Sequence, residues 1–94
     1  MQFLKALRPR VRGGEITSSI RIWRSPRVSV GKRYAMDGGW IEIEAVREIS
    51  IEEVSPEMAR DSGFHGLVDL LKTAKHGQGT RVFLIRFHYV SADD

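Results

Sequence analysis

Ninety-four residues at 41% hydrophobic and 29% charged make one domain of ordinary globular composition, with no room for a second core. The chain has no cysteine, which excludes disulfides, thiolate nucleophiles and cysteine-based zinc sites; no run nears the roughly 18 apolar residues of a membrane span. The formal charge of +3 divides unevenly: residues 1–36 hold Lys5, Arg8, Arg10, Arg12, Arg21, Arg24, Arg27, Lys32 and Arg33 against Glu15 alone, or +8, and the other 58 residues carry −5.

Phe3–Leu7 is short and apolar enough for a first strand. Arg8–Glu15, with Pro9 and the Gly13-Gly14 pair, reads as a turn or a single helical turn closing on glycine. Thr17–Trp23 favours extended structure, and alternation sets Ser18, Ile20 and Ile22 on one face and Thr17, Ser19, Arg21 and Trp23 on the other. Arg24–Gly31 is a loop around Pro26, followed by a short strand over Lys32–Met36 and an Asp37-Gly38-Gly39 turn. Trp40–Ile49 is the clearest strand, since Ile41, Ile43 and Ala45 alternate with Glu42 and Glu44 as in a sheet with one wet face.

Ser55 as N-cap, Pro56, Glu57 and a closing Gly63 mark a helix. Leu67–His76, with Leu67, Leu70, Leu71 and Ala74 at helical spacing and Gly77 as its stop, predicts a second. Thr80–Val90 is a long closing strand, with Phe83, Ile85, Phe87 and Tyr89 on one face and Val82, Leu84, Arg86, His88 and Val90 on the other. So many strands in so short a chain predict an α+β domain: a small closed β-barrel of about five strands with two or three short helices packed around it, because closure removes edges. The domain spans residues 1–94, with loose ends expected at 1–2 and 91–94. An intracellular, cytoplasmic setting is expected of a small disulfide-free domain whose Met1–Leu7 is too short for a signal peptide core.

Three stretches carry a family resemblance. Gly14-Glu15-Ile16-Thr17-Ser18-Ser19-Ile20-Arg21 resembles a motif of glycine, lysine, two threonines and arginine. The run from Ile51-Glu52-Glu53-Val54-Ser55-Pro56 through Glu57-Met58-Ala59-Arg60-Asp61-Ser62-Gly63-Phe64 resembles a strand entering an acidic helix that ends in Gly-Phe. Val82-Phe83-Leu84-Ile85-Arg86-Phe87-His88-Tyr89 resembles a closing strand with an aromatic core. On these, from about Phe3 to Val90, the chain resembles an ASCH domain (activating signal cointegrator homology), a branch of the PUA-like superfamily of small β-barrels.

The resemblance implies an RNA-related role, with the motif arginine in a cleft between barrel and helices. One ASCH branch hydrolyses the amide of acetylated cytidine with a lysine, a threonine and a glutamate. Those positions fall here on Ile16, Ser19 and, for the glutamate, near Ser62. Isoleucine can be neither base nor nucleophile and serine lacks the carboxylate that shuttles a proton, so that amidohydrolase chemistry is not expected.

Thr17, Ser19, Arg21 and Trp23 on one strand face, with Arg24 at its end, supply a guanidinium, hydroxyls and an indole: the groups that hold a phosphate, a sugar and a base. The same residues are also consistent with Trp23 in the core and Arg21 paired to Glu42 or Glu44. Lys32, Arg33 and Tyr34 form a basic rim with an aromatic neighbour; Pro26 stands where a phosphate-binding loop needs its first glycine, so no such loop is expected. Lys72, Lys75 and His76 form a basic cluster at the end of the second helix. The spacing of His65, His76 and His88 matches no zinc site, and neither metal nor cofactor is expected. Glu42, Glu44, Glu48, Glu52 and Glu53 read as a solvated acidic ridge.

The leading expectation is therefore a module that binds RNA, single-stranded by preference, or a nucleotide-like ligand in a basic cleft. The RNA-binding set is Thr17, Ser19, Arg21, Trp23, Arg24, Lys32, Arg33, Tyr34, Lys72, Lys75 and His76. The alternative is a metal-independent ribonuclease or nucleoside-directed hydrolase with Lys32, Tyr34 and His88 as catalytic residues and the ribose hydroxyl as nucleophile. A third reading pairs the acidic and basic faces with a protein partner.

Overall fold

Pro9 and the glycine pair behind it decide how the chain begins. In the computed structural model, which describes residues 1–74 and 81–92, Lys5–Leu7 form a 3₁₀ turn that runs into helix α1, Arg8–Arg12. Proline sits in the first turn of α1, where its missing N–H costs no hydrogen bond. Gly14, at φ +78°, turns the chain out, and the N–H groups of Glu15 and Ile16 both donate to the Arg10 carbonyl (2.9 and 3.2 Å). The expected strand at Phe3–Leu7 is thus corrected to a coil and a 3₁₀ turn. Phe3 and Leu7 reach the core as inward-packed side chains instead.

Four strands follow: β1 Ser18–Trp23, β2 Arg33–Met36, β3 Gly39–Ile49 and β4 Arg81–Ser91. They form one sheet in the order β1-β4-β3-β2, each neighbouring pair antiparallel. The α+β class holds, and the expected closed barrel of about five strands is corrected to a curled half-barrel of four. Without a strand at Phe3–Leu7 no described residue bridges β1 and β2, the two edges of this sheet.

Within β3 the register passes from Ile43↔Phe87 to Ala45↔Arg86, so Glu44 is an extra residue in a β-bulge. The predicted alternation of Ile41, Ile43 and Ala45 therefore holds only as far as Ile43. Beyond the bulge Val46, not Ala45, packs on the core that Ile41 and Ile43 share. Asp37 (φ +47°) and Gly38 (φ +78°) make the two-residue turn between β2 and β3, the backbone that a right-twisted hairpin needs. Gly39 opens β3, where a Cβ would lie 2.5 Å from the Val90 carbonyl oxygen.

Each face of the sheet has its own core. On one, Phe83, Ile85, Phe87, Ile41, Ile43 and Trp23 pack under Phe3, Val11 of α1, Ile16 and Val28. On the other, Ile20, Ile22, Val82 and Ile49 pack under Ala59 of helix α2, Pro56–Asp61, and Leu70 of helix α3, Leu67–Ala74. Burying each large apolar side chain is worth about 1.5–3 kcal/mol, which is how helices of five to eight residues persist here.

Helix α2 follows its predicted signals. The Ser55 hydroxyl accepts from Met58 N–H (3.1 Å), Pro56 opens the helix, and Gly63 at φ +94° ends it. Gly63 N–H donates to Arg60 O (2.9 Å) and Phe64 N–H to Ala59 O (3.0 Å), the paired bonds of a Schellman ending. The expected ends at His76 and Gly77, and the strand start at Thr80, lie outside the described residues. No helix among the described residues is long and apolar enough to cross a membrane.

Candidate ligand cavity at the β1 edge

Among the described residues strand β1 pairs only with β4, and its outer edge forms a wall. Beside it lies a cavity of about 340 Å³. The N-terminal segment Met1–Leu4 and Leu7 form one side, Ser19, Arg21 and Trp23 the floor, Arg27 and Val28 a second side, and Ser62 and Phe64 the far end. Alternation along β1 delivers Ser19, Arg21 and Trp23 to the same sheet face, as expected. Gly63 brings Ser62 and Phe64 to the cavity, because its left-handed turn lets the chain pass against Ile16 and Leu7. A Cβ there would sit 2.9 Å from Ile16 Cδ1.

Arg21 is half-buried and held by neutral groups alone. Its Nε donates to Ser19 Oγ (2.8 Å), its Nη2 donates to the Gln2 carbonyl (2.6 Å), and its guanidinium lies 5.1 Å from the centroid of the Phe3 ring. No carboxylate among the described residues pairs with it. Desolvation lowers its pKa to about 10, which leaves it charged at neutral pH. Desolvation and the nearby Arg21 charge also lower the Met1 amino group from its ordinary value. Ser62 is only 4% exposed, and its hydroxyl has no hydrogen-bond partner among the described residues. A buried polar group without a partner costs about 1–3 kcal/mol.

The lining thus combines two arginines and two serines with apolar walls, and among the described residues it contains no carboxylate side chain and no imidazole. Chemically it can hold an anionic group attached to an apolar or aromatic body. It offers no carboxylate or histidine to move a proton.

The other expected site residues are dispersed. Trp23 is 4% exposed and packs against Phe83 at a tilt (centroids 6.0 Å apart, planes at 37°), so its ring belongs mainly to the core. Thr17 is exposed and lines a separate groove with Glu15, Ser18, Asp61 and Arg86; its carbonyl accepts from Phe87 N–H (3.0 Å). Thr17, one residue ahead of β1, therefore lines that groove and not the cavity that Ser19 and Arg21 share. Arg24 is exposed, and its carbonyl accepts from Arg81 Nη1 (3.2 Å). Arg33 pairs with Glu42 (2.8 Å), and the Tyr34 hydroxyl accepts from Ser29 N–H (2.9 Å). Lys32 and Lys72 are exposed, and Lys75 and His76 lie outside the described residues.

His88 sits on the opposite sheet face from Tyr34, with Nδ1 2.7 Å from Glu44 Oε1 and Nε2 3.4 Å from Glu42 Oε2. Lys32, Tyr34 and His88 consequently do not meet in one centre. Glu42 and Glu44 engage His88 and Arg33 rather than Arg21. No group of three His, Asp or Glu side chains among the described residues is placed to hold a metal ion.

The basic N-terminal third divides between structure and surface. Arg8 and Arg12 of α1 both clasp Asp37 at the hairpin tip, Arg10 pairs with Glu15 (3.1 Å), and Arg33 with Glu42. Lys5, Arg24, Arg27 and Lys32 make no ion pair among the described residues. Sequence reasoning missed Phe3, Arg27 and Phe64 as cavity residues and weighed Ser62 only as a lost glutamate. The readable signal was the Gly63-Phe64 ending, which had to turn the residues around it against another element.

Compared with known proteins, the chain matches no protein-family model, and no curated protein or solved structure is significantly similar to it.

Proposed function

We propose that the protein binds RNA or a nucleotide-like ligand in the cavity at the β1 edge, with Arg21 as its anion anchor. The observation that carries this reading is a charged, half-buried guanidinium held only by a serine hydroxyl, a backbone carbonyl and a ring face. A desolvated cation without a counter-charge gains from an anion that supplies one. The ASCH resemblance points the same way: the residues onto which it carries the family's arginine, threonine and glutamate are Arg21, Ser19 and Ser62. All three line this one cavity. Its lysine position, Ile16, is buried behind Gly63.

Arg27 at the rim, with Lys5, Arg24 and Lys32 unpaired on the surface, supplies long-range attraction for a polyanion. Binding takes precedence over cleavage in this reading because the acid–base candidates lie on different sheet faces.

The test is fluorescence anisotropy with labelled single-stranded and duplex RNA in EDTA, with product length read from the same samples. Arg21→Ala and Arg21→Lys run alongside, each checked for folding by its thermal melt. Binding that weakens with salt, leaves the RNA intact and is lost in Arg21→Ala supports the proposal; each phosphate neutralised on a single strand contributes a log–log slope of about −0.7. Binding that Arg21→Ala leaves unchanged refutes it.

A further inference from the structure

The cavity differs from the neighbouring groove in the sign of its lining. Arg21 and Arg27 line it with no acidic residue, whereas the groove beside Thr17 carries Glu15 and Asp61. We infer, resting on the nucleotide reading above, that its ligand is a phosphomonoester on a single nucleoside-sized body: a free mononucleotide or the phosphorylated end of an RNA. An internal stretch of strand does not fit the same features.

Size is the first of them. Ligand pockets run from about 300 to 1,000 Å³, and about 340 Å³ is at the small end, with room for one unit but not a run of them. Charge is the second. An internal phosphodiester carries a single negative charge, whereas a terminal phosphate carries about −1.5 to −2 at pH 7. Two guanidinium groups with no carboxylate between them match the terminal phosphate.

Donor supply is the third. Of the five N–H groups of Arg21, one on Nε and one on Nη2 are engaged by Ser19 Oγ and the Gln2 carbonyl, which leaves three. The Ser19 hydroxyl accepts from Arg21 and keeps its own proton to donate. Ser62 lines the same cavity, and its buried hydroxyl has no hydrogen-bond partner among the described residues. A terminal phosphate offers three free oxygens to this set, while an internal diester offers two. Phe3 and Phe64 leave apolar wall for the body that carries it.

The experiment titrates the full chain with two matched pairs: a nucleoside and its 5′-monophosphate, and a short single-stranded RNA with and without a 5′-phosphate. Inorganic phosphate is the control for the anion alone. The phosphorylated member of at least one pair binds roughly tenfold to hundredfold more tightly, as one or two hydrogen bonds to a charged group predict. Preference in the mononucleotide pair identifies a free nucleotide as the source, and preference confined to the RNA pair identifies a strand end. Arg27→Ala, an exposed position outside the core, weakens binding of the phosphorylated member and removes most of its lead over the unphosphorylated one.

Equal affinity within both pairs overturns the inference and leaves the nucleotide reading standing. Inorganic phosphate binding as tightly as the phosphorylated ligands also overturns it, since the body then contributes nothing. If no ligand binds and the wild type matches Arg21→Ala throughout, both fall together.

Discussion

Replacing Ser62 by alanine separates what the cavity costs the fold from what it does for a ligand. The Ser62 hydroxyl is buried and has no partner, a state that costs about 1–3 kcal/mol. Alanine keeps the Cβ, removes the oxygen and leaves a void smaller than a methyl group, which offsets less than about 1 kcal/mol of that. The site is the C-cap of α2 with φ −87° and ψ 4°, a conformation alanine adopts freely. The net expectation is a gain of about 1 kcal/mol, and in a domain of this size that raises Tm by about 4–8 °C. On the proposed reading, a nucleotide-like ligand that engages this hydroxyl loses one hydrogen bond in the same variant, worth about 0.5–1.5 kcal/mol, so affinity falls roughly twofold to tenfold. Circular dichroism melts and anisotropy titrations on the same preparation read both effects. A lower Tm with unchanged affinity would show that the hydroxyl serves the fold and refute the reasoning.

Gly63→Ala places a Cβ 2.9 Å from Ile16 Cδ1 and 3.0 Å from Leu7 Cδ2 on a residue at φ +94°, so it should cost about 2–4 kcal/mol in urea denaturation. A loss under about 0.5 kcal/mol would mean that the turn and its neighbours give way freely. Hydrogen bonding from Arg81 holds Glu48 below its ordinary pKa, so its contribution is present above the usual glutamate range and disappears as pH falls through the depressed value. Glu48→Gln should therefore flatten the acid limb of the stability profile, and an unchanged limb counts against the pair. Asp37→Asn keeps a residue that tolerates φ +47° but removes the ion pairs to Arg8 and Arg12. Being exposed, those pairs are worth about 0.2–1 kcal/mol each, and the difference from wild type should shrink in high salt; a salt-independent difference would point to the turn instead.

Local signals in the chain were read well where a specific chemistry enforces them. Ser55-Pro56 with Gly63, the Asp37-Gly38 turn and the alternation in β4 all appear where the residue types place them. What failed was tertiary in origin. Phe3 and Leu7 are apolar for packing under the sheet, not for joining it, and apolar content over five residues does not separate the two. The bulge at Glu44 adds a residue to β3 without a glycine or proline to announce it. In strand β1 the residue types conflict, with Ile20 and Ile22 favouring burial on one side and Trp23 on the other. Both sides are buried, because α1 and the N-terminal segment cover one and α2 and α3 the other. Of the site, Arg21 and Ser19 were legible from strand alternation. Phe3, Arg27, Ser62 and Phe64 were not, since they converge from three other segments only once the sheet has curled.

Ligand binding in the cavity is read most directly by a ¹⁵N-resolved NMR titration of the full chain with a 5′-phosphorylated nucleotide, including the arginine side-chain Nε–H signals. Binding in the cavity should concentrate shifts at Ser19, Arg21 Nε–H, Arg27, Ser62 and Phe64, its walls. The same binding should leave Trp40, His88 and Glu44 on the other sheet face little changed. Shifts centred on that face or on Lys32 and Arg33, with Arg21 Nε–H unmoved, would contradict it.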